Sequence, residues 1–447
     1  MEAGSLCQTD GCQCNGVSIH CYCHHNQVLK IGLEDRVKEA SQPPTNGESL
    51  HLENCHHVEL YAGLLNHMEN LQNLTIKQCH AVVIHPKLFE ARGAKKSSAG
   101  TVQNIELHNI QKLKVKRYSF KDIRVNGMFY LGEVEMESVV SMAFHFKYVK
   151  EFSVFASRFA RISMFGIKIE QCGEFNILAM TKFTSLAAHA IKAKCDKFSL
   201  AYNWFGQLHD SSFDVEFGLC DIQGNTFNSL QGKPFLSLTP YFNLDQSQAQ
   251  PDMMMGLVFR ENKFLSQPTL PWASLALPSF NNLSPSTSYI DVDSNQFVCD
   301  CQAVGWLLAF GKLNYNSQSL SKVGRLQSQD GSFTKEMFLT AGNCLECEGE
   351  KCGDTGEKMT DLAERVISLE SSGVATCQGL PVRNYDLEIS KELESLARRE
   401  KLVTRDYEAD ERLGETSRGS PSRDSGLYLL LTISFYILLS LEVLTLQ

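Results

Sequence analysis

Apolar residues recur along most of this chain in one short frame: an apolar position, two variable ones, apolar-x-apolar, two more variable positions, then Asn or a substitute. The clearest copies are Cys195, Phe198, Leu200, Asn203 and Phe205; Phe217, Cys220, Ile222, Asn225 and Phe227; and Met254, Leu257, Phe259, Asn262 and Phe264. Weaker copies keep the spacing with other letters. They run through Leu50 and Leu52 to Cys55, Leu74 and Ile76 to Cys79, Ile105 and Leu107 to Ile110, and Val134 and Met136 to Val139. Phe152 and Val154 then lead to Ser157, Phe175 and Ile177 to Met180, and Ile290 and Val292 to Asn295. In this phasing Val134 stands 29 residues after Ile105 and 18 before Phe152, whereas most central steps are 22 to 24.

The apolar-x-apolar centre predicts a short strand with period two, its apolar residues inward and its variable residues outward. Asn suits the turn that follows, because its side chain can bond backbone groups that the ladder leaves unpaired. One such unit cannot bury its apolar face alone, but stacked units share a core. Residues 28–297 are therefore read as a solenoid of about ten repeats, with the longer steps as loops inserted on one face.

Composition places this solenoid outside the cell. The chain has 447 residues, 43% of them hydrophobic and 21% charged, with a net charge of -9. That charge argues against nucleic acid as a partner. Most of the 16 cysteines flank the repeats: Cys7, Cys12, Cys14, Cys21 and Cys23 before them, and Cys299, Cys301, Cys344, Cys347, Cys352 and Cys377 after. Neither cluster has a paired C-x2-C framework, so both are read as disulfides in an oxidising compartment rather than as zinc sites. Sequons at Asn73 and Asn282 agree as glycosylation candidates.

Met1 is followed by Glu2 and soon by Cys7 without an apolar signal stretch, so secretion is inferred from the cysteines and the tail. The tail, 427–447, holds about 20 mostly apolar residues, enough to span a bilayer. No Lys or Arg follows it, which favours a glycosylphosphatidylinositol (GPI) signal, with Ser417 and Gly419 as attachment candidates, over a single transmembrane helix. Residues 378–426 are rich in mixed charge and read as a stalk.

The run Cys7-x4-Cys12-x-Cys14-x6-Cys21 resembles the cysteine-rich N-cap of extracellular leucine-rich-repeat proteins. Asn295-x-Phe297-x-Cys299-Asp300-Cys301, with Trp306 and Leu307 behind it, resembles their C-cap. The resemblance covers roughly residues 7 to 377, and the central steps lie within the family's repeat length of roughly 20–29. It implies an α/β-type solenoid with an N-cap over 1–27 and a C-cap over 298–377. The alternative is a right-handed parallel β-helix, whose coils also carry such frames. One sheet backed by loops or helices distinguishes the first, three sheets per coil the second. The family's pattern pairs Cys7 with Cys14 and Cys12 with Cys21. It also pairs Cys299 and Cys301 with two later cysteines, with Cys344 and Cys377 as candidates. Cys23 is left over, and Cys55, Cys79, Cys172, Cys195 and Cys220, inside the repeats, are read as buried small hydrophobes.

The outward positions of the frames run from polar through apolar to acidic. Phe155, Leu178, Ala201 and Tyr202 form an expected apolar patch, followed by Asp221, Glu261, Asp291 and Asp293. Such a patch marks a ligand surface; for the fourth repeat the outward set is Glu135, Glu137 and Ser138. No catalytic motif stands out: there is no G-x-S-x-G, H-E-x-x-H or P-loop. The histidines of the first quarter are read as solvated, no metal or cofactor is assigned, and an enzyme is not expected. Asp291 and Asp293 could serve a glycan-cleaving solenoid as acid and base. The family resemblance implies a cell-surface binding protein on the extracellular face of the plasma membrane. It would engage an extracellular or membrane protein through its concave face, in adhesion, receptor or co-receptor work, and lipid through its anchor.

Overall fold

The structure is a computed structural model that describes residues 6–24, 27–32, 47–64, 68, 70–89, 100–241, 255–265, 288–298, 342–348 and 351–358. All of them lie in the compact unit Met1–Leu380. They form a parallel β-solenoid. The coil that starts at Ile167 shows the plan. Ile167–Ile169 enter a leading sheet, Glu174–Leu178 continue into the frame sheet, and Lys182–Leu186 turn into a trailing sheet. The next coil then begins at Ile191. Ile167 pairs with Ile191, Phe175 with Phe198, and Phe183 with Phe205, so all three sides are parallel ladders.

The expectation of an α/β-type leucine-rich-repeat solenoid, one sheet backed by helices, is therefore corrected. Among the described residues the helical content is one 3-10 turn, Leu6–Gln8, and the side opposite the frame is built of strands. Phe159 and Ile162, Phe183 and Leu186, and Phe205 and Leu208 are buried three residues apart, a spacing that one face of a helix would also give; it is their parallel pairing from coil to coil that makes these segments strands.

The frame ladder starts at Ser18–Tyr22 and passes through Ser49–Glu53, Asn73–Lys77 and Asn104–His108. It continues through every later coil to Ser288–Asp293. One frame was misphased. Ile105 pairs with Phe129 and Leu107 with Leu131, while Met136 lies in the trailing sheet beside Phe159. Phe129 and Leu131 are the inward pair, and the steps around them become 24 and 23 residues, in line with their neighbours. The outward residue of that repeat is Tyr130, between Glu106 and Ser153, not Glu135, Glu137 or Ser138. Val134 and Met136 alternate in the same way across the following corner, so they carry the same local pattern.

Inside, aromatic rings stack with the coils. Phe129, Phe152, Phe175 and Phe198 follow one another at 5.2, 4.9 and 5.2 Å between centroids, and Phe159, Phe183, Phe205 and Phe227 at 5.0, 5.1 and 5.2 Å. From the second coil on, each corner between frame and trailing sheets holds one residue in the left-handed region: Asn54, Gln78, Asn109, Glu133, Ala156, Met180, Tyr202, Gly224, Glu261 and Ser294. Cross-coil bonds such as Met180 N–H to Tyr202 O, 3.0 Å, hold these corners in line.

The N-terminal pairings of Cys7 with Cys14 and Cys12 with Cys21 are present. Cys12–Asn15 lies antiparallel on Ser18–Tyr22 and covers the first open edge of the frame sheet, which would otherwise template pairing with another chain. Two further bridges correct the reading of repeat cysteines as plain hydrophobes: Cys23–Cys55 and Cys172–Cys195. Cys172 and Cys195 are register partners on adjacent coils, 4.5 Å apart at Cα. Cys79 and Cys220 are buried thiols, as expected. Beyond the repeats, Asn295–Val298 pairs in parallel with Gly342–Glu348, which folds into a hairpin with Lys351–Lys358. Cys299, Cys301, Cys377, Asn282, Ser417, Gly419 and the apolar tail lie outside the described residues, as does the side chain of Cys344. No helix among the described residues is long and apolar enough to cross a membrane.

Candidate functional site

The outward side of the frame sheet ends at the corner into the trailing sheet, and there the apolar middle of the chain comes to the surface. Phe155 and Leu178 are register partners on adjacent coils, and Ala201 follows on the next, beside Gln223. Leu178 is 38% exposed, and the corner residues Met180 and Tyr202 are 69% and 56% exposed. Phe155 and Ala201 are half-buried. The frame spacing puts Met180 at the Asn position. Thr181 holds that position instead, taking the Asn203 side chain's Oδ1 on its own N–H, and the extra residue pushes Met180 outward.

Tyr202 is shaped by its neighbour. Gly224 adopts a left-handed φ of 65° on the following coil, and a Cβ there would overlap the Tyr202 ring. The Tyr202 hydroxyl accepts from Gln223 Nε2 at 3.2 Å, and the same amide reaches Glu261 Oε2 at 3.3 Å. Arg260 Nη2 donates to Gln223 Oε1 at 3.1 Å, and Arg260 Nη1 lies 3.8 Å from Asp291 Oδ2. The apolar line therefore passes directly into a connected polar array containing Glu261 and Asp291. Asp293 pairs with Arg260 in the frame ladder; its side chain lies outside the described residues.

Asp221 sits one strand from Val258, with Asp291 on that strand's other side. Burial pushes the Asp221 carboxyl above its ordinary range, and the charges of Arg260 and Lys197 offset this only in part. Its Oδ1 is buried without a hydrogen-bond partner. Upstream in the same outward column, Ser153, Asn176 and Ser199 are nearly buried despite facing away from the core.

A second concavity lies at the corners of the first coils, lined by His24, His56, His80, Asn54, Gln78 and Asn109 among others. His56 and His80 stack at 5.0 Å, and His80 Nδ1 meets Gln111 Oε1 at 2.7 Å. Several other histidines are paired rather than solvated. His51 meets Glu53 at 3.1 Å, His57 meets Glu59 at 3.0 Å, and His85 lies 3.7 Å from Glu59. Asn73 starts a frame strand, its side-chain oxygen accepting from Asn104 Nδ2 at 2.9 Å. Sequence reasoning missed the cluster of Asp122, His145 and Glu170, whose members are about 23 residues apart and share no motif.

These features define a disulfide-stapled parallel β-solenoid with an apolar corner that grades into a polar array. Comparison with protein-family models, with curated proteins and with solved structures finds no match.

Proposed function

We propose that this chain is an extracellular cell-surface protein that binds a protein ligand through the corner formed by Phe155, Leu178, Met180, Ala201 and Tyr202, together with Gln223, Arg260, Glu261 and Asp291. One observation carries the reading: large apolar side chains emerge on consecutive coils in a protein that buries nearly all of its described phenylalanines. A contiguous apolar strip rimmed by polar groups is the usual anatomy of a binding surface. The disulfides support an oxidising compartment, and the tail supports attachment by a GPI anchor or one helix, suited to adhesion, receptor or co-receptor work. The resemblance to leucine-rich-repeat proteins is confined to the cap motifs, and strands on three sides of the coil favour the parallel β-helix.

The test is an extracellular binding screen with the secreted chain, followed by Leu178→Asp with Tyr202→Asp in one variant. Binding should fall at least tenfold with the melting temperature unchanged; wild-type binding by that variant sinks the proposal. Release of the protein from cells by phospholipase supports the GPI anchor, and retention supports a spanning helix.

A glycan-cleaving enzyme is the second reading, favoured by Asp221. Its carboxyl is held toward the protonated form, as a general acid requires. Asp291 lies two strands away, about 9.5 Å at the usual strand spacing, near the upper separation of inverting carboxylate pairs, roughly 6.5–9.5 Å. Depolymerisation of a polysaccharide panel by the wild type, lost in Asp221→Asn, would establish it; no cleavage across the panel removes it.

A further inference from the structure

Asp122, His145 and Glu170 stand on three consecutive coils along the leading sheet. Asp122 precedes Ile123, His145 lies between Phe144 and Phe146, and Glu170 follows Ile169. Phe144 and Phe146 are fully buried, so strand alternation turns His145 away from the core. His145 is nevertheless only 5% exposed, while the side chains of Asp122 and Glu170 are half exposed. Nε2 of His145 is 3.4 Å from Glu170 Oε1. Nδ1 lies 3.7 Å from Asp122 Oδ1 and has no hydrogen-bond partner.

A neutral imidazole carries one N–H and one lone pair. With the Nε2 hydrogen given to Glu170, the Nδ1 lone pair faces the carboxylate oxygen of Asp122. Two electron-rich atoms then confront each other at a buried ring, an arrangement that only a cation between them makes favourable. The acceptor atoms of the three residues all lie within 4.8 Å of one another, and the two half-exposed carboxylates can close further.

We propose that Asp122 and His145 hold a divalent transition-metal ion of the zinc type, with Glu170 as a positioning residue that fixes the imidazole tautomer. Imidazole nitrogen with carboxylate oxygen suits zinc better than calcium or magnesium, which take oxygen ligands. A carboxylate on the far ring nitrogen is the usual support of a ligating histidine. Lys168, 3.9 Å from Glu170, balances part of that carboxylate's charge. Water completes the coordination from the open side. The ion joins the coil of Asp122 to that of His145.

Calorimetric titration of Zn2+ into the full chain tests this, with Asp122→Asn and Glu170→Gln as variants because both side chains are half exposed and tolerate replacement. His56→Ala with His80→Ala serves as a control for the separate histidine groove. One Zn2+ site should disappear in Asp122→Asn, weaken about 10–100-fold in Glu170→Gln and persist in the histidine-groove control. Melting temperatures without zinc should match the wild type. Wild-type zinc affinity and stoichiometry in Asp122→Asn, or no stoichiometric binding by the wild type, overturns the proposal.

Discussion

Asn203 gives both its backbone N–H and its side-chain amide to Oδ1 of Asn225, at 2.9 and 3.2 Å. Asn225 repeats the gesture toward Asn262, and Asn262 toward Asn295, while each side-chain amide also donates to a carbonyl of the preceding coil. All four are buried, so this ladder supplies the partners that the corner's backbone groups need without water. Asn225→Ala takes away the partner of the Asn203 backbone N–H and the amide that donates to the Leu200 carbonyl, while the Asn203 side chain keeps its bond to the Ile177 carbonyl. The expected loss is about 1–3 kcal/mol for each group left unpaired, read as a lower urea midpoint with little change in slope.

Cys23 and Cys55 close a loop with a sequence separation of 32, joining the end of the first frame strand to the corner of the second. Cys23→Ser with Cys55→Ser should destabilise by about 2–4 kcal/mol. Peptide mapping under non-reducing conditions checks the linkage itself. A Cys55–Cys79 peptide in place of Cys23–Cys55 would contradict it.

Asp221 makes the charge state of the site pH-dependent. Its carboxyl is raised in the fold, chiefly by burial. The charged form is therefore the disfavoured one, and the stability associated with Asp221 is full below the unfolded value near 3.8 and is lost as pH rises through the folded value. Asp221→Asn should be more stable than wild type at pH 7, with the difference closing toward pH 4. Denaturation curves at those two pH values measure it.

Gly224 offers a test of the binding corner that deletes no contacting atom. Gly224→Ala forces the Tyr202 ring from its place and requires a left-handed φ of an alanine, costing about 1–2 kcal/mol. Partner affinity should fall severalfold, tracking the loss seen in Tyr202→Ala. Full affinity in the alanine variant would separate the Tyr202 ring position from binding.

Much of this molecule was legible in the chain. Leu74, Phe152, Phe198 and Leu257 announce inward strand positions because a strand buries alternate residues whatever it packs against. Asn203, Asn225 and Asn262 announce the corner, and Cys12 and Cys21 the staple of the first hairpin. The phase at Phe129 was not legible, because Val134 at the corner and Met136 in the trailing sheet alternate equally well. Met180 does not fill the Asn position because one extra corner residue follows the inward pair Phe175 and Ile177, whose own spacing matches that of Phe198 and Leu200.

The sequence by itself thus determined the repeating strand, its inward face and the solenoid class, since these depend on neighbours within a few residues. Only the tertiary structure decided how many sides each coil has, which cysteines meet, and that Asp122, His145 and Glu170 converge. Those outcomes join residues roughly one coil apart in the chain. They are set by coil length and strand spacing, which bring side chains together across ladders that no local pattern records.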